Sequence, residues 1–379
     1  MIFFFITFFL IYGGMHLYLF ARIKSAVPFA MGTGICLGIF FVMMILAFFF
    51  IRIAERYGLE MPARFMAYTG YIWMGLIFIF VVVSLILDLY RVIVYAGGLG
   101  FQKSFSYLSP TPLFTLMFPV IVALAVNAYG YFEAMNLHTE KITIESSKIP
   151  ESMGRIRIVQ FSDVHIGLIV REGRLKGIVE ELKKAEPDIL VSTGDLLDEQ
   201  VNNLAEPTML LKSIQPRYGK FAITGNHEFY AGLQPSLDFM RNAGFSVLRS
   251  EGTTAAGHIN VVGMDDPTGR GFGLSKEIAE GQLLSQFPRE NFTLLLKHQP
   301  AVDIGASGLF DLQLSGHTHK GQIFPFSLIT RFVFPHHAGP FNLSNQSRLY
   351  VNRGAGTWGP PIRFLAPPEI TVIDLVHKK

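Results

Sequence analysis

The feature that most constrains this chain is a set of four apolar stretches in its first third, about Ile2 to Phe20, Val27 to Ile51, Ala67 to Val94 and Leu113 to Tyr131. Each reaches the roughly 20 residues that an α-helix needs to cross about 30 Å of hydrocarbon. The expectation is a bundle of four transmembrane α-helices over residues 1–136, which makes the protein a multi-pass chain of the cell membrane with the lipid bilayer as its first partner. Composition agrees, because 50% hydrophobic residues is too apolar for an ordinary soluble enzyme. The first stretch has neither a basic leader nor a small-residue cleavage site, so it reads as a retained span.

An even number of spans puts the N-terminus and everything after the last span on one side. Arg52, Arg56 and Arg64 in the middle loop, with Lys141 and Lys148 beyond the last span, weigh against Arg22, Lys24, Arg91 and Lys103 in the outer loops. The positive-inside rule then leans towards a cytoplasmic C-terminal domain. Polar residues inside the spans read as structural. Asp88 stands three residues before Arg91, a helical spacing at which the two can pair. His16 and Asn127 are expected to hydrogen-bond between helices, and Gly34-Ile35-Cys36-Leu37-Gly38 has the spacing of a close-packed helix face. No span carries a series of charges, which argues against a transporter. The lone cysteine, Cys36, rules out disulfides within the chain and a cysteine-rich metal site.

Apolar runs give way to polar sequence at about Leu137 to Lys148. Residues 137–150 read as a linker and 151–379 as a second domain, long enough for one α/β fold with its own core. In that domain short apolar runs end repeatedly in metal-capable residues. Arg155 to Phe161 reads as a strand that delivers Asp163 and His165. A helix is expected from about Arg174 to Glu186, because Leu175, Ile178, Val179 and Leu182 recur on one face, and Pro187 stops it. Ile189-Leu190-Val191 runs into Gly194-Asp195. The separation of Asp163 and Asp195 suits one β-α-β unit, which brings both carboxylates to the same sheet edge. After a helical stretch around Pro207 to Ile214, Phe221-Ala222-Ile223 ends in Gly225-Asn226-His227-Glu228. Phe292 to Leu296 ends in His298, and Leu312-Gln313-Leu314 ends in Gly316-His317-Thr318-His319.

One Asp-x-His is a common coincidence. Five strand ends of this kind are not, since the carboxyl ends of strands are where α/β sheets bind ligands. Ionised Asp and neutral His suit divalent Mn, Fe, Zn or Mg. Asp163, His165, Asp195, Asn226, His298, His317 and His319 offer enough donors for two divalent metal ions if Asp195 bridges them. Two metals about 3.5 to 4 Å apart act as Lewis acids and make hydroxide from water at neutral pH.

These blocks, in this order, resemble the calcineurin-like metallophosphoesterase superfamily: Asp163-Val164-His165, Gly194-Asp195, Gly225-Asn226-His227-Glu228, His298 and Gly316-His317-Thr318-His319. Gly316 to Gln322, with the tail Tyr350 to Gly354 and Pro367-Pro368-Glu369-Ile370, is similar to its bacterial membrane-associated branch. The chain departs from that branch at Lys320, where glycine is usual. The resemblance covers only the part after the spans. It implies an α/β domain built as a two-sheet β-sandwich flanked by helices. One metal would take Asp163, His165 and His319, the other Asn226, His298 and His317, with Asp195 between them. His227 would be the catalytic acid beside the scissile phosphate and not a ligand. The implied activity is hydrolysis of a phosphodiester or pyrophosphate bond by a hydroxide held between the metals, and the anchor points to a lipid-linked phosphate ester.

Other residues read more plainly. Glu228 is either an orienter of a histidine or one half of a surface salt bridge. Lys320, Arg353 and Arg363 read as solvated surface, with phosphate binding as the sharper alternative, and His336-His337 as an exposed pair before a third metal site. His258 reads as structural and Asp265-Asp266-Pro267 as a turn. The competing function is a membrane sensor or transporter whose phosphoesterase-like domain binds a ligand without turnover. It calls for broken metal motifs or a charged path across the spans, and the sequence has neither. A net charge of +3 and the membrane anchor argue against a nucleic-acid substrate.

Overall fold

The apolar runs at the start of the chain fold as helices α1 (Ile2–Ala26), α2 (Met31–Ile45), α3 (Ala47–Arg56), α4 (Glu60–Phe101) and α5 (Pro112–Met135). The structure is a computed structural model and describes residues 2–199 and 202–378, with side chains from Ile6 onward. The chain divides into two units, Met1–Phe132 with Gly359–Ile362, and Glu133–Trp358 with Arg363–Lys379.

In the first unit, three helices among the described residues are long and apolar enough to cross a membrane, or up to four if one bent pair counts as a span. The bent pair is the second apolar stretch, expected as one helix. It breaks at Leu46 into α2 and α3, bent by 55°. α2 has 15 residues and reaches only about 22 Å at 1.5 Å per residue. α3 carries Arg52, Glu55 and Arg56 on one side, while its Ala47, Ile51 and Ala54 are buried. They pack against α4, where Ala63, Ala67 and Gly70 are buried and a Cβ on Gly70 would collide with the Ala47 methyl. This packing through small residues, with charges on the opposite side, turns the segment off the axis of α2. α4 runs for 42 residues, about 63 Å and so roughly twice the hydrocarbon thickness.

Of the polar residues of this unit, His16 bonds between helices as expected, whereas Asn127 does not and Asp88 has nearer partners than Arg91. Trp73 donates to His16 Nε2 at 2.8 Å and His16 Nδ1 donates to the Tyr12 carbonyl at 2.7 Å, which ties α1 to α4. Asn127 instead donates to Ala123 in its own helix at 2.8 Å. Asp88 pairs with Arg22 and accepts from Tyr18 at 2.5 Å, both on α1, while Arg91 stands off at 3.8 Å. Gly38 has nothing near its missing side chain, so the Gly34–Gly38 pair forms no shared close-packed face; helices approach tightly at Gly70 and Gly75.

The second unit contains β1 (His138–Ser146), β2 (Arg155–Phe161), α6 (Glu172–Lys184), β3 (Ile189–Ser192), α7 (Ala205–Lys212), β4 (Lys220–Ala222), α8 (Asn226–Ala231), α9 (Leu233–Asn242), β5 (Ser246–Val247), β6 (Glu251–Ala255) and β7 (Ile259–Gly263). It continues with α10 (Glu280–Leu284), β8 (Phe292–Leu296), β9 (Leu312–Ser315), α11 (Phe326–Val333), β10 (Gly339–Asn342), β11 (Arg348–Val351) and β12 (Glu369–His377). Most of the stretch read as a linker is therefore a strand, with Ile142 and Ile144 alternating with polar residues and β1 lying parallel to β12.

Two six-stranded mixed sheets result, ordered β1-β12-β2-β3-β4-β5 and β10-β11-β9-β8-β7-β6. Side chains of a strand alternate between faces, and here both faces are apolar. Ile156, Ile158, Ile189 and Val191 of one sheet share a buried layer with Val261, Leu294, Leu296 and Leu314 of the other. The alternate residues Val159, Phe161 and Leu190 face outward under α6, α7 and α9, in one cluster with Leu175, Leu182, Leu211 and Met240. Val262 and Leu295 do the same with Leu283 and Leu284 of α10. Each buried Leu or Ile contributes about 1.5–3 kcal/mol against exposure. The packing matters for chemistry because β2, β3 and β4 are parallel, as are β8 and β9. Their carboxyl ends can therefore open on one edge of the sandwich.

Candidate metal centre

The loops after these five strands carry the seven ligand candidates, and the fold brings them together. Asp163, His165 and His319 offer ligand atoms within 4.8 Å of one another, as do Asp195, His298 and His317. In the first group His165 Nε2 lies 3.0 Å from His319 Nε2, and His319 Nε2 lies 3.5 Å from Asp163 Oδ1. In the second, Asn226 Oδ1 is 3.1 Å from His298 Nε2 and 3.0 Å from His317 Nδ1. Asp195 joins the groups: its Oδ2 is 3.1 Å from His298 Nε2 and 3.8 Å from His165 Nε2.

The backbone at these strand ends is bent into the left-handed region. Asp163, His165, Asp195, His317 and His319 all have φ between 47° and 72°, a conformation that costs a non-glycine residue about 1–2 kcal/mol. Hydrogen bonds from neighbouring loops hold it. His317 N donates to both oxygens of Asp163 at 2.9 and 3.0 Å, and His227 N donates to Asp195 Oδ1 at 2.9 Å, leaving Asp195 Oδ2 for the site. The loops approach so closely that only glycine fits at Gly316, where a side chain would run into Ser162 and Asp163, and at Gly225, where it would meet Asp195.

Glu228 has neither expected role. It is fully buried and accepts four backbone N–H groups, from Gly225 at 2.7 Å, Asp195 at 3.0 Å, Leu196 at 2.8 Å and Leu197 at 3.1 Å. The carboxylate locks the β3 loop to the β4 loop. Burial, with the nearby Asp195, raises its pKa above the ordinary range.

Asp198, which the sequence pattern does not single out, stands beside two histidines of the candidate site. Its Oδ1 lies 3.1 Å from His227 Nδ1 and 3.7 Å from His165 Nδ1. Its place three residues after Asp195, in Gly194-Asp195-Leu196-Leu197-Asp198, is the signal that could have found it. Burial works against the charged form of His227, but Asp195 and Asp198 outweigh it and raise its pKa to about 8. His227 also groups with His165 and Asp195 within ligand distance. Burial and the Arg363 charge push His319 well below its ordinary value, keeping the ring neutral.

The three cationic candidates divide. Arg363 is fully buried and not a surface residue: it donates to the carbonyls of Gly356, Ala366, Arg353 and Gly354, and its Nη2 stands 3.0 Å from His319 Nδ1. Arg353 is paired with Glu369 and, at 2.5 Å, with Glu140. Arg363 is committed to the protein interior and Arg353 to its two carboxylate partners. Lys320 follows the last histidine with φ 52°, a left-handed conformation that glycine adopts most easily. His337 uses its carbonyl to accept from Thr318 at 2.6 Å, and His336 packs on Phe341, so among the described residues this pair joins no metal group. Tyr230 and Trp358 form an aromatic rim beside His227.

The donor set fits divalent metal ions. His298 Nδ1 lies 2.8 Å from the Thr193 carbonyl, which can only accept, so the proton sits on Nδ1. Its Nε2 faces Asp195 Oδ2 and Asn226 Oδ1, and, against the opposing effect of burial, Asp195 raises the pKa of the ring well above its ordinary value. This cluster of oxygens and ring nitrogens draws positive charge, which a divalent ion held among them would supply.

A family model described as calcineurin-like phosphoesterase matches residues 156–321. The chain is 37% identical over 260 residues to a metallophosphoesterase of Aquifex aeolicus, covering 68% of this chain and 99% of that one. It is 31% identical over 274 residues to a zebrafish (Danio rerio) protein named as a transmembrane protein with metallophosphoesterase domain, covering 68% of this chain and 61% of that one. Among solved structures it aligns with a 5'-nucleotidase precursor from Thermus thermophilus at a TM-score of 0.37 and 16% identity, covering 59% of this chain and 54% of that one. With its family model matched across the loops just described and nearly the whole Aquifex relative aligned, this chain belongs to the calcineurin-like metallophosphoesterases.

Proposed function

We propose that the protein is a membrane-anchored phosphoesterase with a binuclear metal centre, hydrolysing a phosphodiester or pyrophosphate bond of a lipid-linked substrate. The observation that carries this reading is Asp195 Oδ2, placed between the His298 and His165 nitrogens of two converging donor groups. One ion would be held by Asp163, His165 and His319, the other by Asn226, His298 and His317, with Asp195 shared. Divalent ions there supply Lewis-acid neutralisation of phosphate charge and a hydroxide nucleophile at neutral pH.

The chain's own residues do the rest. Two carboxylates facing two divalent ions leave the centre net positive, so it attracts an anionic ester. Asp198 holds His227 through Nδ1 and favours the protonated ring, which can then give its Nε2 proton to the leaving oxygen. Tyr230 and Trp358 flank that ring and restrict water beside it. We place the catalytic domain on the cytoplasmic side, on the basic residues of the middle loop, with the bent pair α2–α3 counted as one crossing.

The test uses the full chain in detergent or lipid nanodiscs loaded with Mn²⁺, with bis(p-nitrophenyl) phosphate, a pyrophosphate-linked nucleotide and a long-chain lipid phosphodiester as substrates. Hydrolysis that requires metal and disappears in Asp195→Ala, together with loss of bound metal, is expected. Full metal occupancy without hydrolysis of any substrate, or undiminished turnover in Asp195→Ala, would reject the enzyme reading in favour of a ligand-binding sensor. Fusion of a reporter active on only one side of the membrane to the C-terminus reads the sidedness.

A further inference from the structure

α11 is built inside out for a helix on a soluble domain. A surface helix normally turns its apolar stripe to the core and its polar residues to water. Here Thr330 is buried and the backbone at Ser327 presses against Gly321, so the two hydroxyl residues face the protein. Leu328, Ile329, Phe332 and Val333 point outward at 60%, 56%, 88% and 61% exposure. Phe324, just before the helix, is also exposed. A contiguous exposed apolar face of this kind marks a binding surface.

We infer that α11 lies in the surface of an anionic lipid bilayer, the one its own chain enters through its N-terminal apolar helices. Three observations select this occupant. The same chain carries helices long and apolar enough to cross a membrane, so a bilayer is present at high effective concentration. From Leu312 to Pro368 there is no Asp or Glu, while Arg331 on the helix itself is exposed and Lys320 stands in the loop just before it. Basic residues beside an apolar helical face suit anionic headgroups and acyl chains together. At eight residues the helix spans only about 12 Å, enough to lie in an interface and too short to cross it.

The helix is also coupled to the metal centre. It begins five residues after Gly321 in the last ligand loop; Phe334 at its end packs edge-on against His317 at 5.1 Å, and Thr318 donates to the His337 carbonyl just beyond. Seating α11 in lipid holds the mouth of the site at headgroup level. The substrate would then be drawn from the plane of the membrane as an amphiphilic phosphate ester, a corollary that rests on the proposed phosphoesterase activity; the lipid contact itself does not.

The experiment labels single cysteines with an environment-sensitive fluorophore in the full chain, reconstituted in vesicles of phosphatidylethanolamine and phosphatidylglycerol with brominated acyl chains. Native Cys36, exposed on α2, is the control for the apolar helices. Phe332→Cys and Met209→Cys are each made in a Cys36→Ser background, Met209 being an exposed apolar residue on α7. The expected result is fluorescence loss at Phe332→Cys close to that at Cys36 and severalfold greater than at Met209→Cys. Loss at Cys36 with none at Phe332→Cys overturns the inference alone, and no loss at either position overturns the membrane reading with it. Efficient cross-linking of Phe332→Cys between two copies overturns it in favour of an interface between chains. The paired variant Leu328→Glu/Phe332→Glu should raise KM for a long-chain lipid phosphodiester about tenfold, the scale of losing burial of one large apolar side chain, with bis(p-nitrophenyl) phosphate hydrolysis unchanged. Equal effects on both substrates contradict the corollary and leave the fluorescence result to decide the lipid contact.

Discussion

The helical unit and the metal centre are held in shape by opposite means. In Met1–Phe132 the described backbone is regular helix almost throughout, and the left-handed residues are Gln102 and Gly58, at helix ends. Its geometry is set by side-chain volume: Gly70 against Ala47, and Gly75 against Asn127. At the centre five of the seven ligand candidates depart from the preferred backbone, with Asp163, His165, Asp195, His317 and His319 left-handed, as are the neighbouring Lys320 and Gln322. Such strain persists only where surrounding bonds over-determine it. Glu228 with its four N–H donors and Asp163 with the His317 amide supply those bonds. One unit should therefore tolerate changes of residue type that keep size, and the other changes of size only away from its hydrogen bonds.

The sharpest way to separate ligand from acid within the strained region is His227→Ala. It should lower kcat by about 10²–10⁴, the range for loss of a general acid, with two metal ions per chain retained in metal analysis. Loss of an ion in this variant would make His227 a ligand and break the assignment. Asp198→Asn should cost roughly 10–100-fold with metal likewise retained, because the amide still fixes the ring and no longer stabilises its charged form. An effect no smaller than that of His227→Ala would mean Asp198 serves chiefly through His165.

The same contrast explains what could be read from the sequence. Residue type and strand period are local, so β2 (Arg155–Phe161) and β8 (Phe292–Leu296) stand where the apolar runs place them. The ligand candidates are legible for the same reason. What escapes depends on distant partners. Glu228 looks like a surface acid until the β3 and β4 loops close on it, and Arg363 looks solvated until five groups surround its guanidinium. Asp198 was within reach, one short step from Asp195 in a run otherwise apolar. In the helical unit the bend at Leu46 has no Gly or Pro to announce it; its cause is the fit of Ala47 and Ile51 against small residues far along the chain. β1 is polar because it lies at a sheet edge, and only Ile142 and Ile144 betray its period.

Glu228→Gln tests whether the hydrogen bonds compensate the strain. An amide in place of one oxygen sets a donor against backbone N–H groups, and the variant should lose about 2–3 kcal/mol, the cost of leaving buried donors unpaired. Thermal unfolding followed in detergent should fall by several degrees, with weaker metal binding because the Asp195 loop loosens. Unchanged stability would show that the left-handed loops do not depend on this cage. In the helical unit the matching variant is Gly70→Leu, which should cost about 1–3 kcal/mol through overpacking while metal content stays at the wild-type level. A fall in metal content there would break the separation between the two regions.

Lys320→Gly gives the smallest effect and the finest distinction. Lys320 is left-handed at φ 52° with ψ 26°, inside the turn that begins at His319. Glycine adopts this conformation without penalty, so removing the side chain should relieve about 1 kcal/mol, offset in part by the greater entropy of glycine in the unfolded chain. Unfolding should shift upward by a degree or two, or not at all. If the ammonium group does nothing for substrate, kcat/KM stays at the wild-type value and the lysine is only a strained tolerance at a glycine position. If it meets the ester, KM rises while kcat holds, the pattern of lost uniform binding, and the strain at this residue is then retained for function. A fall in stability on Lys320→Gly would contradict the strain argument at its simplest point, since no backbone hydrogen bond is removed by the change.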